Sequence, residues 1–293
     1  MQRMFRTRLI SGIVLVIIAL ATIMTGGMVL ALVLGAISLI AYRELTKACK
    51  VGNREQGFCA LEIAGFVMTV LYYIALFVTV GSVDIHEALS AVYPVVMVAI
   101  VLTLLVMLFI YVFTFPTYKA GQIMAAVFSF LYAPVMLSFI YLIREGFAEG
   151  NFLVWFVFLC SWGSDTCAYA VGVLFGKHKM TPKLSPKKSV EGAIGGIVGA
   201  ALLFVLYTHF VINHYTDAYL PLTLAALLGA IGALVSMIGD LAASAIKRDH
   251  DIKDYGKLIP GHGGIMDRFD SVIIATPLIF IGLALLSQLE GIL

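Results

Sequence analysis

Nine apolar runs, each close to the length a helix needs to cross a lipid bilayer, govern what this chain can fold into. A span takes roughly 20 apolar residues, because the hydrocarbon core is about 30 Å thick and a helix rises about 1.5 Å per residue. Helices are therefore expected near 9–25, 27–42, 58–81, 90–113, 122–142, 152–175, 192–212, 221–246 and 269–289. The first two are short and read as a tight hairpin turning at Gly26-Gly27. With 61% of residues hydrophobic, 12% charged and a mean hydropathy of +1.03, the fold class is an all-α polytopic membrane protein. A basic segment leads into the first run, as in a signal peptide. No small-residue cleavage site follows, so this run is expected to stay as the first span.

The basic residues give a direction. With the N-terminus in the cytoplasm, 18 of the 19 Lys and Arg fall on the cytoplasmic side and only Arg144 lies outside. One missed helix would invert every later loop, so span count and orientation support each other. A net charge of +2 gives no ground for a nucleic-acid partner, and none is expected. The four cysteines (Cys49, Cys59, Cys160, Cys167) have no CxxC spacing and read as small packing residues, without a disulfide framework. Two regions are expected: 1–145, where no chemical constellation is visible, and 146–293, a catalytic region with cytoplasmic loops 176–191 and 248–268.

Ser244 to Asp270 is the polar segment that stands out from this background. It carries five basic residues (Lys247, Arg248, Lys253, Lys257, Arg268), a Pro-Gly-His-Gly-Gly turn and, with Asp240 just upstream, six aspartates. On a helix, Ser244 falls four residues after Asp240, with Lys247 and Arg248 three and four further on, so all four share one face. An aspartate inside an apolar run is costly in hydrocarbon and is a functional candidate for that reason. Asp267 and Asp270 are three apart at the start of the next run. Helix capping would explain Asp267, explains Asp270 poorly and does not explain Asp240. Carboxylates beside cations and a glycine turn suit Mg²⁺ holding a polyphosphate.

The pattern Ser244-x-Ile-Lys-Arg, then Lys253-Asp254, then Pro260-Gly-His-Gly-Gly-x-x-Asp267-Arg268-x-Asp270 resembles the signature of phosphatidate cytidylyltransferases, also called CDP-diacylglycerol synthases. A second segment is similar to the same family: Asp165-x-x-Ala-Tyr169, Phe175-Gly176-Lys177 and Ser185-Pro-Lys-Lys-Ser-x-Glu-Gly. The resemblance covers about the second half of the chain. It implies conversion of phosphatidate and CTP to CDP-diacylglycerol and pyrophosphate, at the cytoplasmic face of the inner membrane. It also implies roles: Asp240, Asp267 and Asp270 for Mg²⁺; Lys247, Arg248, Lys253 and Arg268 for the triphosphate; and His262 for a phosphate contact or proton relay. Asp165, Lys187, Lys188, Ser189, Ser244, Gly263 and Gly264 are expected to bind substrate. A second cation and a homodimer are left open.

Other readings are weighed by what they would require. A CDP-alcohol phosphotransferase needs a D-x-x-D-G-x-x-A-R setting, which this chain lacks. An ion-coupled transporter using Asp165 and Asp240 would place charges near mid-bilayer and break its helices, rather than crowd polar residues into loops. Gly172-x-x-x-Gly176-Lys177 is not a phosphate-binding loop, since that motif needs four intervening residues and Ser or Thr after the lysine. Gly192/Gly196 and Gly195/Gly199 read as close helix contact, with Gly229 and Gly232 serving similarly. Tyr72, Tyr73 and Tyr111 read as packing or interfacial residues, and Lys119 as an interfacial anchor.

Overall fold

A computed structural model describes residues 2–52, 57–82, 85–261 and 263–288, with side chains described from residue 12 onward except at 85–89. Its helices are α1 (Gln2–Thr25), α2 (Gly27–Ala48), α3 (Ala60–Ser82), α4 (Ile85–Phe113), α5 (Ala120–Gly146), α6 (Gly150–Phe175), α7 (Val190–Tyr215), α8 (Leu222–Asp249) and α9 (Met266–Leu286). Among the described residues eight helices are long and apolar enough to cross a membrane, and α1 adds the shorter apolar stretch Gly12–Thr25. The all-α polytopic class expected from the sequence is the class observed.

The chain divides into two units, the first being Met1–Gly146 with His250–Arg268. In it, α1 turns into α2 at Gly26 and Gly27, both at positive φ (63° and 48°). Two residues at the end of α5 clamp that turn. The Gly27 N–H donates to Glu145 Oε1 at 2.7 Å, and Arg144 Nε donates to the Ile23 carbonyl at 2.9 Å. A Cβ on Gly26 would sit 2.6 Å from Glu145 Oε1 and press on the carboxylate that holds the turn, while the positive φ is what favours glycine here. The fully buried Tyr42, Leu45, Leu61, Leu76 and Phe130 lie in the core of this unit. Its buried hydroxyls bond one another: Ser38 with Tyr73 at 2.8 Å and Tyr72 with Ser138 at 2.7 Å. Tyr72 and Tyr73 are thus packing residues with their polar ends satisfied. A π-turn at Leu131–Val135 in α5 contains Pro134, which lacks the N–H that a regular helix would use.

The second unit is Phe147–Asp249 with Phe269–Leu293. Its closest contact is α6 against α7, where the glycines of α7 leave no room for side chains. A Cβ on Gly195 would lie 2.5 Å from Val171 Cβ, and one on Gly199 would lie 2.5 Å from Cys167 Cβ. Backbones at this spacing gain dispersion contacts that substitute for the hydrophobic drive lipid does not supply. Cys160 packs at Gly232 of α8, and all four cysteines are free thiols. Phe156 and Phe204 stack at 4.5 Å in the same core.

The basic loop after α6 is more ordered than its composition suggests. Strands β1 (Lys179–Thr181) and β2 (Ser185–Ser189) pair antiparallel, Lys179 opposite Ser189 and Thr181 opposite Ser185. The hairpin is tied to α7 at its base. The Ser189 side chain caps α7 by accepting from Gly192 N at 3.1 Å, and the Val190 N–H donates to the His178 carbonyl at 2.9 Å. Glu191 accepts from the Lys177 N–H at 3.0 Å and pairs with His178 Nδ1 at 2.6 Å. A helix N-terminus favours this carboxylate, and the two prolines of the loop restrict the backbone further.

Candidate functional site

In the second unit the charged side chains gather where α8 and α9 touch. A Cβ on Gly239 would lie 3.0 Å from the Asp270 carbonyl and 2.9 Å from Ile274 Cβ, so the two backbones meet at this level. The next residue, Asp240, and the Asp270 carboxylate are thereby brought within electrostatic reach of each other. Lys247 and Asp165 act on Asp270 as well. Asp270 is 9% exposed and takes a 2.8 Å bond from the Ser271 N–H. Lys188 of β2 closes an ion pair onto Asp240 Oδ2. Its Nζ is shut off from water and makes no hydrogen bond besides that pair, so the donors of an ammonium outnumber its acceptors. Ser236, one turn before Asp240 on α8, has a fully buried hydroxyl without a partner.

Ser244, Lys247 and Arg248 follow Asp240 along α8, as the helical spacing requires. Lys187 is exposed on β2, next to Lys188, and Asp165 is exposed on α6 just after the π-turn Leu159–Gly163. Ser189, expected to bind substrate, is 8% exposed and serves as the α7 cap.

In the first unit, His250–Arg268 forms a turn in which the Ile259 N–H bonds the Gly263 carbonyl at 2.8 Å. Gly261 and Gly263 take φ of 78° and 90°, a region that β-carbons disfavour. Asp267 Oδ2 accepts from Tyr255 N at 2.8 Å and Gly264 N at 2.9 Å, holding the loop to the start of α9. Glu44, 9% exposed at the end of α2, accepts from Ile265 N at 3.2 Å and Met266 N at 2.8 Å. It thus satisfies N–H groups that the start of α9 would otherwise leave bare. The Glu44 carboxylate also fills the space a Cβ on Gly264 would need. Lys253 and Arg268 are exposed, and His262 lies outside the described residues.

Glu44 and His178 were not expected at the site, and Glu191, part of the Ser185-Pro-Lys-Lys-Ser-x-Glu-Gly segment, was given no role of its own. An acid near the end of an apolar run was the available signal for Glu44. Among the described residues no three His, Cys, Asp or Glu side chains are grouped to hold a metal ion by themselves. Mg²⁺ seldom asks for that, since one or two carboxylates with substrate phosphates and water complete its shell. The oxygen donors of Asp240 and Asp270 fit this mode.

Fold and site together define a polytopic helical membrane protein in which a carboxylate within one span, Asp240, meets a lysine ammonium beside a buried carboxylate near the start of the next, Asp270. The chain belongs to the Cytidylyltransferase family, whose model matches residues 6–286. It is 32% identical over 275 residues to the phosphatidate cytidylyltransferase of Staphylococcus epidermidis, covering 94% of this chain and 97% of that one. It is 36% identical over 129 residues to that of Haemophilus influenzae, 44% of each chain. The Mycobacterium bovis protein of the same name is 33% identical over 166 residues, 57% of this chain and 52% of its own.

Proposed function

We propose that this protein is an integral-membrane phosphatidate cytidylyltransferase, converting phosphatidate and CTP to CDP-diacylglycerol and pyrophosphate. A phosphate oxygen of the lipid attacks the α-phosphorus of CTP. The bond from that phosphorus to the β-phosphate bridging oxygen breaks, and pyrophosphate leaves with the electron pair. Such transfers depend on positioning and charge neutralisation rather than on a covalent nucleophile. The observation that carries the proposal is Asp240, set between a buried ammonium and a second carboxylate.

Asp240 and Asp270 would hold Mg²⁺, which when bound neutralises phosphate charge as a Lewis acid. Lys188, with donors left over from its pair with Asp240, would bind phosphate oxygen, and Lys187 would add a cation to that side. Lys247 and Arg248 stand on the α8 face for the triphosphate, with Ser244 between them and Asp240. Lys253, Arg268 and the glycine turn with His262 are proposed as phosphate contacts of the loop. Asp267, whose Oδ2 accepts from two backbone N–H groups, is proposed as a metal ligand. The basic residues on one side of the spans support a cytoplasmic site in the inner membrane. The test is pyrophosphate release by the protein in lipid vesicles. Release should require CTP, Mg²⁺ and phosphatidate together, and release without added phosphatidate would reject the reading.

A further inference from the structure

Helices α2 and α3 flank an open groove of about 510 Å³, lined by Ile40 and Arg43 of α2 and by Phe66, Val67, Val70 and Leu71 of α3. Except at one end its walls are apolar, and Val67 and Leu71 are about half exposed. On a spanning helix such positions meet acyl chains or another protein. Arg43 closes one end. Its guanidinium carbon lies 4.3 Å from the centroid of the Phe58 ring, which packs edge-on against Phe66 at 5.5 Å. Stacking fixes the guanidinium over the groove but uses none of its five N–H donors. Among the described residues no carboxylate pairs with Arg43.

Depth decides what can fill the groove. Arg43 is sixteen residues into α2 counting from Gly27, about 24 Å along the axis, and its long side chain extends further. That brings the guanidinium to the level of lipid phosphates when Gly27 marks the other side of a hydrocarbon core about 30 Å thick. Lys47 lies one helical turn beyond, in the last turn of α2. A cation at phosphate level above an apolar trough matches a phospholipid with a net negative charge.

We propose that this groove holds a resident anionic diacyl phospholipid, its phosphate on Arg43 and one acyl chain along Val67, Val70 and Leu71. The lipid is a bound component of the bilayer, not the molecule the enzyme converts. The test uses native mass spectrometry of the full-length protein, given equal phosphatidylglycerol and phosphatidylcholine. Wild-type protein should retain phosphatidylglycerol preferentially. Arg43→Gln should lower that preference about fivefold to tenfold, and Val67→Trp, which fills an exposed trough, should reduce retention of both lipids. Unchanged preference in Arg43→Gln would overturn the proposal. So would a dimeric wild-type protein that either variant turns into a monomer, which would make a second copy the occupant. A raised KM for phosphatidate in Arg43→Gln would also overturn it, by marking the groove as part of the substrate's route.

Discussion

The Lys188 ammonium meets the Asp240 carboxylate directly, joining the β-hairpin to α8 and leaving the ammonium's other donors without an acceptor among the described residues. In a medium of low polarity, removing one partner leaves the other charged and unpaired. The pair is therefore sensitive to substitution on either side.

Asp240→Ala and Lys188→Ala should each cut turnover at least about a hundredfold, the usual cost of losing a charge-assisted contact formed in the transition state. Helical content by circular dichroism should be unchanged. Near-normal pyrophosphate release in either variant would remove that residue from the site.

Glu44→Ala tests the hold of α2 on the start of α9. Two buried N–H groups, of Ile265 and Met266, would lose their acceptor. Each costs about 1–3 kcal/mol when left bare. The melting midpoint in detergent should fall by several degrees, at about 2–4 °C per kcal/mol. Glu44→Gln, which keeps an acceptor oxygen, should lose less.

Gly195→Ala should destabilise the protein by about 1–3 kcal/mol, because its new methyl meets Val171 at 2.5 Å in a contact with no slack. Gly121→Ala is the control. Its added Cβ meets nothing within 4 Å, and the melting midpoint should hold or rise slightly.

Burial pushes the Cys59 thiol above its ordinary range; the Glu62 carboxylate adds to the rise, and backbone N–H groups of Glu62 and Leu61 offset part of it. Alkylation needs the thiolate, and a raised pKa lowers the thiolate fraction at every pH below it. Maleimide labelling of Cys59, read by peptide mass spectrometry, should lag behind a free thiol at pH 8 and catch up as pH climbs. Equal rates at pH 8 would contradict this.

The spans were legible because their signal is local: an apolar run of sufficient length has few other ways to satisfy its backbone. The hairpin turn at Gly26-Gly27 and the glycine face of α7 were readable for the same reason, each resting on residues close in sequence. Asp240 could be flagged from the cost of an acid in hydrocarbon, but not the ammonium that faces it. That pairing depends on how β1 and β2 fold back, and short strands in a lysine-rich loop give little periodicity. Glu44 was the least visible. Its partner Met266 is 222 positions away, and a lone glutamate among Arg43, Lys47 and Lys50 looks like an ordinary interfacial charge.

The bond from Glu44 to the opening of α9 bears on how this protein could be divided. A gene split after Gly146 would put the loop that carries Asp267 on one polypeptide and the acid that braces it on the other. The piece holding every recognisable motif would then be the incomplete one. Supplying the anterior helices as a separate chain is what should restore it.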